Sequence, residues 1–258
     1  MGGTLIVFFL ELLKSINKDY MYDPLLLIKL MQATTAARFK FFKNPNSENQ
    51  LDQMLQTEII QQYSNVIQNN SLKDFDDFSD NGLGSTTHVS IIDRDGNAAS
   101  ITTTNGESCG HVLPGTGVIL NNMLGEQDLN PLGFHNWTSQ KRMPTLISPS
   151  LILDKSGEIE LVIGSAGSNR IRSAITQVMM NYINNNITLH ESIYSPRLHL
   201  EDSNLYLEPG LGFEELAVNK KIKVNKFSDI NLFFGGVNAV TNNEAVSDPR
   251  RGGSSIEC

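Results

Sequence analysis

At 258 residues with 40% hydrophobic side chains, the chain holds enough apolar material for the core of one large or two small domains. A net charge of -8 argues against nucleic acid or an anionic membrane surface as a partner. Two cysteines, Cys109 and the terminal Cys258, allow one bridge at most, so no disulfide framework is expected and a reducing compartment fits.

The first apolar run, Leu5 to Leu13, ends at Lys14 and is shorter than the roughly 20 residues that span a bilayer. It has no basic flank before it and no small-residue cleavage site after it, and Ile6 stands where a myristoylation signal needs Ser or Thr. A buried amphipathic helix in a cytoplasmic protein is the expectation. Helices are predicted near 4–16, 24–42 and 47–68, the last from the spacing of Leu51, Met54, Leu55, Ile59 and Tyr63. Residues 69–85 then turn polar, with Asp74, Asp76, Asp77 and Asp80 among Asn, Ser and Gly, which reads as a solvated linker.

A β-hairpin follows, from Thr86 to Ile92 and from Asn97 to Gly106, turning through Asp93-Arg94-Asp95-Gly96. A loop of Asp95-Gly96 alone sets Thr87 opposite Thr104, whereas a loop of Arg94 to Gly96 sets Thr86 there; either brings Thr86 and Thr104 together. The flexible pair Gly84-Ser85 ends the acidic linker just before Thr86, an arrangement suited to cleavage of the Ser85-Thr86 peptide. Cleavage would give Thr86 a free α-amine of pKa about 7.7 to 8.0, able to take the proton from its own hydroxyl. One residue would then supply both nucleophile and base.

Beyond the hairpin, Gly106 to Gly117 is a loop containing Cys109 and His111, and Val118-Ile119-Leu120 reads as a short buried strand. Cys109 has no partner base in sequence and reads as inert. The histidines show no metal-ligand spacing, so no metal and no cofactor are expected. A hairpin over 150–163 turns at Lys155-Ser156-Gly157, and its second arm enters Gly164-Ser165-Ala166-Gly167-Ser168-Asn169-Arg170 before a helix with Ile171, Ala174, Ile175, Val178, Met179 and Tyr182 on one face. A glycine-rich strand-to-helix turn offers backbone N–H groups to developing negative charge, although no Gly-Lys-Ser/Thr follows to make a phosphate loop. Thr188-Leu189-His190-Glu191 fits a capping box, ended by Pro196. Strands near 197–201 and 205–208, a helix near 213–219, a strand near 222–227 and a hairpin over 236–246 complete the chain. Arg197, Asp248 and Arg250 read as ion-pair or turn residues rather than catalysts.

The blocks TTHVSIIDRDGNAASITTTNG from Thr86, GTGVILNN at 115–122, SPSLIL at 148–153, GSAGSNRIR at 164–172, SPRLH at 195–199 and SDPRRGG at 247–253 stand in the order found in the γ-glutamyltranspeptidase family, which this chain resembles. The resemblance covers nearly everything from Thr86 onward as that family's small subunit, and residues 1–85 look like the end of its large subunit, with the rest of it missing. It implies an α+β fold, in part the αββα sandwich of N-terminal nucleophile hydrolases, with a helical region over 1–85 and a catalytic region over 86–258.

It further implies an autoprocessing N-terminal-threonine amidohydrolase or acyltransferase, with Thr86 as nucleophile, Thr104 orienting it, and the Gly167 and Ser168 N–H groups as the oxyanion hole. Hydrolysis and transfer, of γ-glutamyl amides such as glutathione or of a related acyl group, both remain open. So does a non-catalytic or partner-dependent remnant of the fold, whose partner would be the missing large subunit. Asn105, Glu126 and Thr145 match substrate contacts. Three departures bear on the substrate: Met123 replaces a polar residue, Gly106 an asparagine, and Thr145-Leu146 a Ser-Ser pair that grips an α-carboxylate.

Overall fold

Helix α1 (Gly2–Ile16) is buried along most of its length because its apolar residues serve two cores at once. Leu5, Phe8, Phe9, Leu12, Leu13 and Ile16 enter one, while Ile6 enters the other. Each fully buried Leu or Phe of this kind contributes about 1.5–3 kcal/mol against exposure. The computed structural model describes residues 1–16, 24–42, 50–69, 86–126, 129–130, 132–137, 139–185, 187–211 and 222–257. Of the polar linker expected over 69–85, Asn69 caps the helix Thr57–Gln68 and residues 70–85, Ser85 with them, lie outside the described residues, as do the helix expected near 213–219 and Cys258.

Helix α2 (Pro24–Phe42) starts at a proline, whose fixed φ suits the first helical position, and packs on α1. The third expected helix is two, α3 (Gln50–Met54) and α4 (Thr57–Gln68), with Gln56 extended between them at φ -64°, ψ 142°. The break lets Met54 and Ile67 both reach the core while Leu51 stays exposed, which one straight helix with Leu51 and Met54 on the same face does not provide.

Strands β1 (Thr86–Ile92) and β2 (Ala98–Thr104) pair antiparallel with Thr86 opposite Thr104, the register of the three-residue loop. The Asp93 carboxylate fixes that loop by accepting from the Asp95 and Asn97 N–H groups and the Asn97 side chain at 2.8–2.9 Å. Strands β3 (Ser150–Leu153) and β4 (Ile159–Ala166) continue into a four-stranded sheet with β8 (Gly236–Val240) and β9 (Ala245–Val246), in the order β3-β4-β8-β9. Strands β5 (Leu198–Glu201), β6 (Asn204–Leu207) and β7 (Lys223–Lys226) make a small third sheet, with β6 and β7 parallel.

The β1-β2 hairpin lies face to face on β4 and β8, and helix α5 (Arg170–Asn185) packs on β4 and β8 as well. Ile171, Ala174, Ile175, Val178 and Met179 of α5 meet Leu161, Ile163, Val237 and Ala239 of the sheet, as the apolar stripe predicts. Helix α6 (Leu189–Tyr194) opens with the full capping box of Thr188 and Glu191. The expected α+β sandwich is present in part. On the hairpin's outer side Val89, Ile91 and Ile101 are exposed.

The Val118-Ile119-Leu120 strand is a correction. These residues are exposed and form one isolated bridge, Val112 to Ile119, because the 107–122 arm folds back on itself instead of joining a sheet. An apolar run alone does not say whether anything covers it.

Candidate active site

Thr86 is the first residue of β1, and its place is decided by how the hairpin is glued to the sheet beneath. His88, two residues on, points inward and is buried, with its ring against Gly164 of β4 so closely that a Cβ there would lie 2.2 Å from the ring. Ser90 Oγ donates to Asn238 O at 3.1 Å, so its only proton is used and His88 Nε2–H donates to it at 2.8 Å. His88 Nδ1 then accepts from the Thr102 hydroxyl at 2.7 Å. Burial lowers the His88 pKa to about 4, which keeps this neutral tautomer at physiological pH. Asn238 Nδ2 donates to His88 O and Ser100 Oγ to Ile163 O, completing the clamp.

On that platform the Thr86 hydroxyl donates to Thr104 Oγ1 at 3.0 Å, and the buried Gly106 N–H donates to the same oxygen at 3.0 Å. The Thr104 hydroxyl is therefore held from two sides and in turn fixes the rotamer of Thr86. Both line a cavity of about 240 Å³ with Glu126, Thr145 and Ser168, so five of the residues singled out in the sequence share one space. Asn105 and Gly167 are not among its lining residues. Asn105 is exposed and shapes the loop through its carbonyl, which accepts from the Ser108 and Asn122 N–H groups.

Gly106, at φ +66°, is required by its neighbours: a Cβ there would meet Glu126 Oε1 at 2.1 Å and Asn122 Oδ1 at 2.3 Å. A side chain at this position and a carboxylate at Glu126 in this pose exclude each other. Asn122 Oδ1 also accepts from Glu107 N at 2.7 Å and so ties the loop together. Asn122, Glu107 and Phe134 line the cavity and were not singled out as contacts, because nothing in local sequence says that residues 15 apart share a hydrogen bond across a loop.

The strand-to-helix turn brings Ser168 to the same cavity. Gly167 has φ +133° and Ser168 φ +52°, so the serine holds a left-handed conformation that glycine adopts freely. The Gly167 and Ser168 carbonyls accept from Arg170 and Ile171 at the start of α5, which fixes the turn. Gly235 Cα would lie 2.8 Å from a Cβ on Gly167, so the two backbones touch. On the remaining side, Thr145 O accepts from Gly2 N at 2.9 Å, docking the start of α1 on the segment that carries Thr145, Leu146 and Ile147 into the cavity. Among the described residues no lysine or arginine lines the cavity, and no group of three His, Cys, Asp or Glu is placed to hold a metal. The arrangement pairs a hydroxyl nucleophile candidate with an orienting hydroxyl, a carboxylate and a backbone turn.

Comparison with known proteins gives the same family as the blocks did. The family model described as gamma-glutamyltranspeptidase matches residues 1–258. The chain is 30% identical over 253 residues to the capsule biosynthesis protein CapD proenzyme of Bacillus anthracis, covering 93% of this chain and 46% of that one. It is 32% identical over 184 residues to the glutathione hydrolase 5 proenzyme of Mus musculus, covering 65% of this chain and 31% of that one. A gamma-glutamyltranspeptidase structure from Pseudomonas nitroreducens, complexed with L-DON, superposes with a TM-score of 0.55 at 26% identity, over 67% of this chain and 99% of that one. The chain thus spans about half, or less, of the curated relatives it matches, within the N-terminal nucleophile hydrolase fold. With its blocks in family order and the family model matched from end to end, this chain belongs to the gamma-glutamyltranspeptidase family.

Proposed function

We propose that residues 86–258 form the catalytic part of an autoprocessing N-terminal-threonine amidohydrolase or acyltransferase, with residues 1–85 as the helical part cut from it. The observation that carries this reading is the Thr86 hydroxyl held 3.0 Å from Thr104 Oγ1 at a cavity shared with Ser168. The Pseudomonas structure is covered over 99% of its own length by 67% of this chain, which supports a catalytic part that is shorter than the whole chain.

The chemistry follows from the cut. Thr86 Oγ attacks the substrate amide carbonyl carbon while its proton passes to the Thr86 α-amine. The negative charge on the carbonyl oxygen is taken by the N–H groups of Gly167 and Ser168, each such donor being worth about 2.7–4 kcal/mol to the transition state. Collapse breaks the C–N bond, the α-amine gives its proton to the departing nitrogen, and an acyl ester remains on Thr86. Water or an acceptor amine then attacks the ester, giving an acid or a new amide. Glu126 is suited to the ammonium group of a γ-glutamyl donor, and Thr145 to its carboxylate.

A second reading of the acyl group has its own support. Met123, Leu129, Phe134, Leu146 and Ile147 line the cavity, and this apolar lining suits a less polar acyl chain than glutamyl. An acyl-donor screen of γ-glutamyl against aliphatic and aromatic amides decides between the two, run with and without added large-subunit polypeptide.

The reading itself is tested by self-cleavage. Purified chain should split into pieces of 85 and 173 residues, N-terminal sequencing of the larger should return Thr-Thr-His, and Thr86→Ala should stay whole. A folded wild type that remains uncut, alone and with that added polypeptide, refutes it and leaves a non-catalytic remnant of the fold.

A further inference from the structure

Beside the Gly167-Ser168 turn, lined by Asn169 and by residues of α5 but not by Thr86, is a second and smaller cavity of about 30 Å³. Leu5 and Phe9 of α1 and Met31 of α2 close it on one side, and Asn169, Arg172, Ser173, Thr176 and His199 give it polar walls on the other. Two of those polar residues, more than nine-tenths buried, each present an atom with no hydrogen-bond partner in the protein: Asn169 Oδ1 and His199 Nε2. A buried polar atom left so costs about 1–3 kcal/mol.

The neighbouring bonds say what each atom needs. Asn169 Nδ2 donates to Glu201 Oε1 at 3.0 Å, which assigns Oδ1 as the amide's remaining acceptor. Ser173 Oγ donates to Arg170 O at 3.1 Å and lies 2.8 Å from His199 Nδ1. A hydroxyl has one proton, so Nδ1–H donates to Ser173 and Nε2 carries a lone pair. Burial and the charges of Arg170 and Arg172 push the His199 pKa well below its ordinary value, so the ring is neutral and a cationic guest is disfavoured. Two acceptors cannot satisfy each other. One water donates to both, its oxygen can still accept from the Arg172 Nε–H on the same wall, and a polar cavity of this size holds one water, since about 10–15 Å³ of such volume is enough.

We propose that Asn169 and His199 hold one buried water between α1, α2, α5 and β5, and that through it His199 is a positioning residue for the adjacent Gly167-Ser168 turn. The solvent site stands on geometry alone; the positioning role rests on the functional reading above. The water joins the residue next to the turn to the third sheet, while Leu5 and Phe9 of α1 and Met31 of α2 wall it on the apolar side. It thereby gives the N-terminal helices a structural part in the site without touching substrate.

The experiment has two arms on the full chain. A crystal structure that resolves ordered solvent should show a peak within about 2.6–3.2 Å of both His199 Nε2 and Asn169 Oδ1. An empty, well-ordered cavity overturns the proposal. In the second arm, His199→Gln keeps an acceptor near the Nε2 position, whereas His199→Asn keeps only the Ser173 side. H199Q is expected to retain most of kcat, and H199N to lose about tenfold in kcat with KM within about twofold, as a misplaced oxyanion turn requires. Equal losses in both variants, or a loss confined to KM, overturn the positioning role. A chain that neither cuts itself nor turns over substrate also overturns that role, while the density still decides the solvent site.

Discussion

Replacing Glu208 by glutamine tests what holds the wall behind the Gly167-Ser168 turn. Arg197, Glu208, Asp248 and Arg250 form a network whose side chains are 2% exposed or less. Arg250 donates to Glu208 Oε1 at 2.7 Å and Oε2 at 2.5 Å, and Arg197 reaches Asp248 Oδ2 at 2.7 Å. Two cations and two anions cancel. Glu208 also accepts from the N–H groups of Arg197 and Asn231, Asp248 from Val237 N, and Arg197 donates to Gly235 O, the residue against which Gly167 packs.

Glu208→Gln leaves a net buried charge of +1 and turns an amide NH₂ toward donors that need an acceptor. Breaking one partner of such a buried pair costs about 3–5 kcal/mol. Typical total stability is about 5–15 kcal/mol, and at about 2–4 °C per kcal/mol the melting temperature should fall by about 6–20 °C. Thermal unfolding followed by circular dichroism measures the shift and urea unfolding the free energy, with Glu11→Gln as the comparison. The Lys14–Glu11 pair is exposed, 3.7 Å apart, and should lose less than about 1 kcal/mol. If Glu208→Gln costs no more than that, the network does not carry the stability assigned to it.

Three further outcomes are expected. Gly106→Ala should raise KM for the acyl donor at least tenfold by displacing Glu126 and Asn122, and should lower stability by about 1–2 kcal/mol from the left-handed backbone alone; steady-state kinetics and urea unfolding measure the two effects. Ser168→Gly should raise stability by up to about 1 kcal/mol with little change in kcat, because φ +52° strains serine and the N–H survives the change; a lower melting temperature would contradict the strain. His88, whose folded pKa of about 4 lies below its ordinary 6.5, adds no penalty above pH 6.5. Between 6.5 and 4 the unfolded chain takes up a proton that the folded one refuses, so stability should fall as pH drops through that window, by up to about 3 kcal/mol, and level off below it. His88→Gln should flatten that share of the pH profile in urea titrations, and an unchanged profile would mean that the ring is not held neutral.

Much of the fold was written in local order. Proline at the start of α2, the capping box of α6, the Asp93–Gly96 turn and the apolar stripe of α5 act on residues a few positions apart, so their spacing is enough to place them. The break at Gln56 was not, because it depends on where Met54 and Ile67 find the core. The exposed 118–120 arm escaped for the same reason, since hydrophobic residues in a row do not specify their cover.

By itself the sequence determined which residues could do the chemistry: a threonine after a flexible polar linker, a second threonine across a hairpin, a glycine-rich turn before a helix, and the blocks that mark the family. Only the tertiary structure decided that Thr86 rather than Thr87 faces Thr104, that Ser168 sits in a glycine's conformation, and that Gly106 must lack a side chain beside Glu126. The first set depends on residue identity and short-range order. The second depends on distances between segments far apart in the chain, which are set by burial of the hairpin on the sheet and of His88 against Gly164.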